Sequence, residues 1–501
     1  MVRGRKLLGA SVVALLFAPS VAAADTIRPD TFSDEPGLDL DNGNCTLREA
    51  VESADHDVSE DACHRGDGAD VIKLRRGTYQ LSVPGSETIG STEIDNDVGD
   101  LDVGLFGDSA IKIVGHRRGT TIDGNEHDRV VQVFSADTAT FERLTITDGA
   151  TANGGGGVSV FTDADARFKR TAIAANTASD GDGGLTVASG GKATLIRSAV
   201  RDNASPGVGG GIGVFGRVEL NRTKVMGNEA DTGGGIFVHS GIDTDPAGVA
   251  TLRGSRVGQN DAVGNAGGGI FIAPDSRLTL AQSTIDRNDA GGPGGGIHID
   301  RGSLVVNSTT VSRNESAQHG GGISGAGDPG NPLSMRVTNS TISGNTAVDE
   351  GGGISAGAIG EKRIVSSTIT DNEADRGGGI QGPFVTTNLP VELKGTIVAG
   401  NTALSANPTN GPDCLFLNSE SGESLGHNLI GSDNGCDTDA VASDLIGNAD
   451  LEPLRPNGGP TKTHALKRSS RAIDKGPPDA PRKDQRGVRR RDPDIGSYER
   501  S

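Results

Sequence analysis

Two or three glycines followed by one aliphatic residue recur through the middle of the chain, and this element constrains the fold more than any other. It reads Gly155-Gly156-Gly157-Val158, Gly183-Gly184-Leu185, Gly209-Gly210-Gly211-Ile212 and Gly233-Gly234-Gly235-Ile236, then continues behind three glycines at Ile270, Ile297, Ile323, Ile354 and Ile380. The steps between the aliphatic residues are 27, 27, 24, 34, 27, 26, 31 and 26 residues. A second marker keeps the same phase. Asn176, Asn203, Asn228, Asn260, Asn288, Asn314, Asn345 and Asn372 each stand 8 to 10 residues before one of those aliphatic residues. Two markers in phase over more than 200 residues define a structural repeat.

Glycine in threes excludes a helical solenoid, because each Gly costs roughly 1 kcal/mol relative to Ala inside a helix. Between the glycines lie short runs with period-2 alternation, such as Leu278-Thr279-Leu280, Val337-Thr338-Asn339-Ser340-Thr341-Ile342 and Ser367-Thr368-Ile369. Such runs read as strands. A repeat of this length cannot bury a core alone, but it suits one coil of a parallel β-helix with about three short strands. Stacked at about 4.8 Å, the marked coils would make a rod of roughly 45 Å.

The marker residues fit that reading chemically. Asn tolerates left-handed backbone angles at a turn, and Asn at the same turn of every coil can stack into an amide ladder. The glycines permit positive φ and close approach of neighbouring backbones. In Ile270-Phe271-Ile272 and Ile297-His298-Ile299 the flanking aliphatics face the core and the middle residue faces out. A flexible Gly-rich linker is the rival reading, but a linker does not keep aliphatic residues in phase. The expected fold is therefore all-β: a parallel β-helix solenoid, right-handed by the bias of parallel crossovers.

The formal net charge is −19, which argues against nucleic acid and anionic membrane as partners. Residues 1–24 read as a secretory signal: Arg3, Arg5 and Lys6, an apolar run from Leu7 to Ala18, then Ala22-Ala23-Ala24. Neither this run nor a later one is long enough to span a bilayer, so no transmembrane segment is expected once the signal is removed. The four cysteines fall in two close pairs, Cys45 with Cys63 and Cys414 with Cys436. In an exported chain these are most simply two disulfides, one at each end of the repeat. Metal binding would call for Cys-x-x-Cys spacing, which is absent.

Residues 25–110 read as an N-terminal cap. Thr46-Leu47-Arg48-Glu49 is a capping box, and Leu47, Ala50, Val51 and Ala54 form one apolar face at helical spacing. A short amphipathic helix of this kind can plug the open end of a β-helix. Cys45-Thr46-Leu47-Arg48-Glu49-Ala50 resembles the signature of the CSLREA-domain family of bacterial exported β-helix proteins, with Thr in the place of Ser. Asp70-Val71-Ile72-Lys73-Leu74, Gly77-Thr78-Tyr79-Gln80-Leu81 and Gly99-Asp100-Leu101-Asp102-Val103 resemble the same family.

Residues 111–405 carry the coils, which resemble those of pectate-lyase-like β-helix proteins. In residues 406–501 the glycine triplets stop. Asn457-Gly458-Gly459-Pro460-Thr461, Asp484-Gln485-Arg486-Gly487 and Asp494-Ile495-Gly496-Ser497-Tyr498-Glu499 there resemble the choice-of-anchor Q domain of bacterial surface proteins. The resemblance implies surface association. No sortase motif or hydrophobic tail follows Glu499, so covalent anchoring is not expected.

No catalytic constellation stands out. Asp95, Asp97, Asp100 and Asp102 form the densest acidic cluster. Their carboxylates could supply hard oxygen ligands to Ca²⁺, but the spacing is not that of an EF-hand and the expectation is a solvated loop with no cofactor. His116 lacks an accompanying Asp pair and reads as a surface residue. The long coils place their extra residues after the Gly-Gly-Gly-Ile strand, near Ser240–Ala247 and Gly325–Pro332, with a further excursion at Gln381–Pro390. All three leave the rod at one corner, which in a solenoid often marks a binding face.

On that side an outward stripe runs through Phe237, Phe271 and His298, with Phe161, Phe215 and His239 two positions further along their coils. These rings could stack on sugars or on a protein, or be covered by the insertions. The expectation is a monomeric, non-catalytic exported or cell-surface rod for display, adhesion or matrix contact, its partner a glycan or surface protein. The alternative is an extracellular polysaccharide lyase or glycoside hydrolase.

Overall fold

The computed structural model describes residues 25–35, 42–85, 96–105, 110–134, 137–241, 245–328, 332–357, 360–383, 389–405, 410–416, 421–439 and 441–500. The expected signal sequence at 1–24, Asp95 and residues 242–244, 329–331 and 384–388 of the three insertions lie outside them. The chain winds as a parallel β-helix. One coil shows the pattern: strands Val158–Val160, Asp165–Lys169, Ala172–Ala174 and Thr177–Ala178 follow each other around the rod. Each pairs in parallel with its equivalent one coil on, as in Val158 on Leu185, Phe168 on Leu195 and Ile173 on Val200.

The four stacks are numbered sheets 1 to 4 in chain order within a coil. Among the described residues, sheet 1 has 12 strands, from Leu101–Val103 to Cys414–Leu415. Sheets 2 and 3 have 14 each, running from Thr26–Ile27 to Gly422–Ser424 and from Gly77–Gln80 to Leu445–Ile446. Sheet 4 is made of two-residue strands, in stacks of two and seven.

Two expectations are corrected here. A coil has four strands rather than three, because the fourth, between Asn and glycine, is too short for a period-2 signal. The sheets also extend beyond the expected coil region at 111–405, since Leu101–Val103 and Cys414–Leu415 join sheet 1 without a glycine triplet before them. Fourteen stacked strands rise about 60 Å.

The core is a set of in-register columns. Val158, Leu185, Ile212, Ile236, Ile270, Ile297, Ile323, Ile354 and Ile380 are all fully buried, and Phe141 stacks on Phe168 with ring centroids 5.2 Å apart. The glycines are there for two reasons. The first of a triplet takes positive φ, 60° at Gly209 and 65° at Gly233, where a side chain would be strained. The third lies against the next coil, so that a Cβ on Gly211 would fall 2.5 Å from the Gly235 carbonyl oxygen.

Two polar ladders run along the corners. Asn176 Nδ2 donates to Asn203 Oδ1, and the contact repeats at 2.8 to 2.9 Å through Asn228, Asn260, Asn288, Asn314, Asn345 and Asn372 to Asn401, ending on Asp413. The backbone N–H of each coil donates to the same oxygen, as from Asn260 to Asn288 at 3.1 Å. A second ladder was not expected. The backbone N–H of Thr171 donates to Ser198 Oγ, and the pattern continues through Thr223, Ser255, Ser283, Thr309, Ser340 and Ser367 to Thr396 at 3.1 to 3.4 Å. Both ladders satisfy buried amides at corners where the sheet bonds stop.

The N-terminal end is plugged by helix α1, Leu47–Asp55. Thr46 Oγ1 accepts from the Glu49 N–H at 3.2 Å, and Glu49 Oε2 accepts from the Thr46 N–H at 2.8 Å. The helix is buried on every side, not on one apolar face alone. Arg48 is the reason: its guanidinium donates to Asp34 at 2.7 Å and to the Val98 and Asp100 carbonyls at 3.0 Å, tying the helix to loops outside it. Disulfides join Cys45 to Cys63 and Cys414 to Cys436.

Residues 451–500 fold back along the outside of sheet 3. Thr310 Oγ1 donates to the Lys462 carbonyl, Thr341 Oγ1 to Gln485, and the Ser497 N–H to Thr368 Oγ1. Ile397, Leu429, Leu466, Ala472 and Ile495 form a small second core beneath them.

Candidate functional site

The acidic cluster is not a solvated loop. Asp97 is exposed, but Asp100 and Asp102 are 1% and 0% exposed. Asp100 faces Arg129 at 3.3 Å, and Asn96 clamps Asp102 by accepting from its N–H and donating to its carbonyl, both at 2.9 Å. The cause is the packing of α1 and Arg48 over this segment. Among the described residues no group of three His, Cys, Asp or Glu is arranged to hold a metal. His116 is exposed, and its Nδ1 accepts from the Arg118 N–H.

The outward column of sheet 1 reads Asp102, Gln132, Ser159, Thr186, Gly213, Phe237, Phe271, His298, Ser324, Ser355 and Gln381, residue on residue. Phe237 stacks on Phe271 at 4.7 Å, and Phe271 lies 5.2 Å from His298. His298 is only 8% exposed, and burial pushes its pKa down to about 4. It is therefore a neutral packed ring rather than a surface for a ligand, which corrects the third member of the expected stripe. Phe237 and Phe271 are half-buried.

Further half-buried aromatics lie just beyond the ends of these strands. Phe134, Phe161, Ala188, Phe215 and His239 occupy equivalent positions on five coils, each donating its backbone N–H to the sheet 1 strand of the preceding coil. Phe134 packs on Phe161 at 4.5 Å, and Phe215 stacks on His239 at 3.6 Å. Ala188 interrupts the column. The result is a notch of about 400 Å³ lined by Phe161, Ala188 and Phe215, with Arg129, Ser159, Thr186 and Asp182 among its polar groups. Phe161 and Phe215 stand two coils apart, about 10 Å.

Asp182 was not singled out in the sequence, yet it organises this notch. It occupies the position that is the first glycine of the triplet in other coils, and the positive φ moves to Gly181 at 87°. Its side chain crosses to the next coil and fills the space above Gly213, where a Cβ would fall 1.7 Å from Asp182 Oδ2. Although 2% exposed, the carboxylate accepts from Thr186 Oγ1 at 2.9 Å and faces His239 Nε2 at 3.3 Å. The sequence signal was the break itself, Gly181-Asp182-Gly183-Gly184 among Gly-Gly-Gly runs.

Parallel four-sided coils, ladders at the corners and a plugged end define a right-handed parallel β-helix. Residues 109–266 match the family described as "Right handed beta helix region". Among solved structures the chain is similar to a crystal structure of pectate lyase Pel9A, at 14% identity over 96% of this chain and 97% of that one, with a TM-score of 0.38. It is also similar to a mannuronic acid specific polysaccharide family 6 lyase from human gut microbiota, at 11% identity over 76% of this chain and 86% of that one, TM-score 0.29. A further similar structure is the PL6 family alginate lyase AlyGC, at 10% identity over 86% of this chain and 55% of that one, TM-score 0.31. No curated protein matches the sequence. Among the described residues no helix is long and apolar enough to cross a membrane.

Proposed function

We propose that this protein is an exported, non-catalytic β-helix rod that contacts glycans through the notch between Phe161 and Phe215. The observation that carries the reading is the combination of two half-exposed aromatic side chains, a small Ala188 between them and polar groups at the base. Sugars present apolar C–H faces and hydroxyls together, and such a slot meets both. Two disulfides suit an oxidising, extracytoplasmic setting.

The non-catalytic part rests on Asp182. Hydrolysis of a glycosidic bond uses two carboxyl groups flanking the bond. The notch is lined by two carboxylates, the exposed Asp180 and the buried Asp182, and the buried one is engaged by Thr186 and His239 and seated against Gly213 rather than free to serve as the second acid or base. The test is a glycan array probed with the wild-type protein and with Phe161→Ala/Phe215→Ala, alongside an assay for new reducing or unsaturated ends. Retention of a glycan by wild type, lost in the variant, supports the reading. Equal retention by both would remove the notch from it. Cleavage abolished by Asp182→Asn would replace it with the lyase or hydrolase alternative.

A further inference from the structure

A second concave surface lies on another corner of the rod, where sheet 2 turns into sheet 3. It is a groove of about 820 Å³ whose lining includes Arg117, Arg143, Arg170, Arg197, Arg222 and Lys224, and among the described residues no lining residue is acidic. In a chain of net charge −19 this is a marked concentration of positive charge. Arg143, Arg170, Arg197 and Arg222 occupy the same turn on four successive coils. The backbone N–H of each donates to the next coil's strand at 2.9 to 3.0 Å, so the four are in register. Arg143 is engaged by Glu142. Arg170, Arg197 and Arg222 are exposed and, among the described residues, no carboxylate lies within ion-pair distance of them.

The backbone there does not ask for arginine. All four have positive φ, between 52° and 59°, a conformation that suits Gly or Asn and strains a long side chain. Later coils fill the equivalent turn with Gly254, Gln282, Ser308, Asn339, Ser366 and Gly395. The C-terminal segment covers the last four of these. Thr461 donates to the Ser308 carbonyl, Asn339 donates to the Lys483 carbonyl, and the Gly496 N–H donates to the Gly395 carbonyl. The same corner is thus covered by the chain's own C-terminal segment at one end and, at the other, open and lined by Arg170, Arg197 and Arg222.

We infer that the open end binds a linear acidic glycan, its carboxylates or sulfates paired with the arginines coil by coil. The cations recur at the strand spacing of about 4.8 Å, which suits an extended polymer with one acidic group per sugar. Nucleic acid is the poorer fit. Among the described residues no Phe, Tyr or Trp lines the groove for base stacking, and the acidic remainder of the chain repels a dense polyanion. The ligand class rests on the glycan reading above, but the site does not, because the notch lies on sheet 1.

The test is affinity electrophoresis in gels containing polygalacturonate, dextran sulfate or neutral dextran. It compares wild type, Arg170→Ser/Arg197→Ser/Arg222→Ser and Phe161→Ala/Phe215→Ala. Serine already occupies this turn at Ser308 and Ser366, so an unchanged melting curve should verify that the triple variant is folded. The expected result is salt-sensitive retardation of wild type in an acidic gel, weakened on the order of tenfold or more in the arginine variant, and unchanged in the phenylalanine variant. Retardation by polygalacturonate alone or by dextran sulfate alone supports the proposal and names the acidic group. Equal retardation of wild type and arginine variant would overturn it, as would none in either acidic gel. Competition by oligothymidylate as effective as by free polygalacturonate would reassign the groove to nucleic acid. Absence of acidic-gel binding by the wild type, with phenylalanine-dependent glycan retention intact, would sink this proposal and leave the notch reading standing; the converse would sink only the notch.

Discussion

Lys362 stands at a core position of sheet 2, in register between Met335 and Val391, and is 0% exposed. Its Nζ donates to the Gly357 carbonyl at 3.4 Å, and burial pushes its pKa from 10.5 down to about 8. Replacing it by Met, the residue one coil earlier, keeps the shape and removes the charge. The drop of about 2.5 pH units corresponds to about 3 kcal/mol. Below about pH 8 the lysine is protonated in both folded and unfolded chains, so that penalty is present in full. Between about pH 8 and 10.5 the unfolded chain holds a proton the folded one has shed, so the wild type gains stability as pH rises. Lys362→Met should therefore be more stable than wild type by about 3 kcal/mol at pH 7 and by only about 1 kcal/mol at pH 10. Urea unfolding of both proteins at the two pH values measures this directly. An equally or less stable variant at pH 7, or an advantage that does not shrink by pH 10, would refute the reasoning.

Asn288→Ala removes one rung from the buried ladder, leaving the Asn260 amide and backbone N–H without their acceptor; thermal unfolding should show a loss of about 2–4 kcal/mol, far above a surface Asn→Ala control. His298→Phe should leave stability near neutral pH little changed, since Phe271 fills the same column one coil earlier. Wild-type His298, held down at about 4, loses stability as pH falls from about 6.5 towards 4, so the variant's melting temperature should overtake that of wild type in acid, and parallel curves would refute this. Gly213→Ser should destabilise by about 1–3 kcal/mol, because the new side chain collides with Asp182. The same change in an Asp182→Gly background should cost much less, and a double-mutant cycle in urea showing no coupling would contradict the contact.

The fold was legible because a coil imposes the same demand at the same place many times. Ladder bonding needs the same residue type at the same corner, and close coil contact needs glycine, so each leaves a column of identical letters. The hydroxyl ladder obeys the same logic at a constant offset, five residues before each Asn, as in Ser198 before Asn203 and Thr396 before Asn401. It stayed hidden because Ser and Thr serve equally and both are common elsewhere in the chain. The outer coils and sheet 4 were invisible for want of glycine triplets and of strand length. Asp100 and Asp102 misled because local sequence reports charge, whereas their burial follows from Arg48 on a helix some 50 residues earlier.

Both candidate surfaces share a feature that explains why the repeat marked the site poorly. A solenoid makes function by departing from its own rule at a few coils. Asp182 replaces a glycine, Ala188 interrupts an aromatic column, and four arginines take a turn that Gly, Gln, Ser and Asn fill elsewhere. Asp182 and Ala188 lie in one coil, and the arginine turns at Arg170 and Arg197 lie in that coil and the one before it. The two surfaces therefore occupy different corners of the same coils, ahead of the length covered by the C-terminal segment. The regular columns hold these coils rigid, so the departures are presented on a fixed frame at the strand spacing, the geometry an extended polymer would need along the rod.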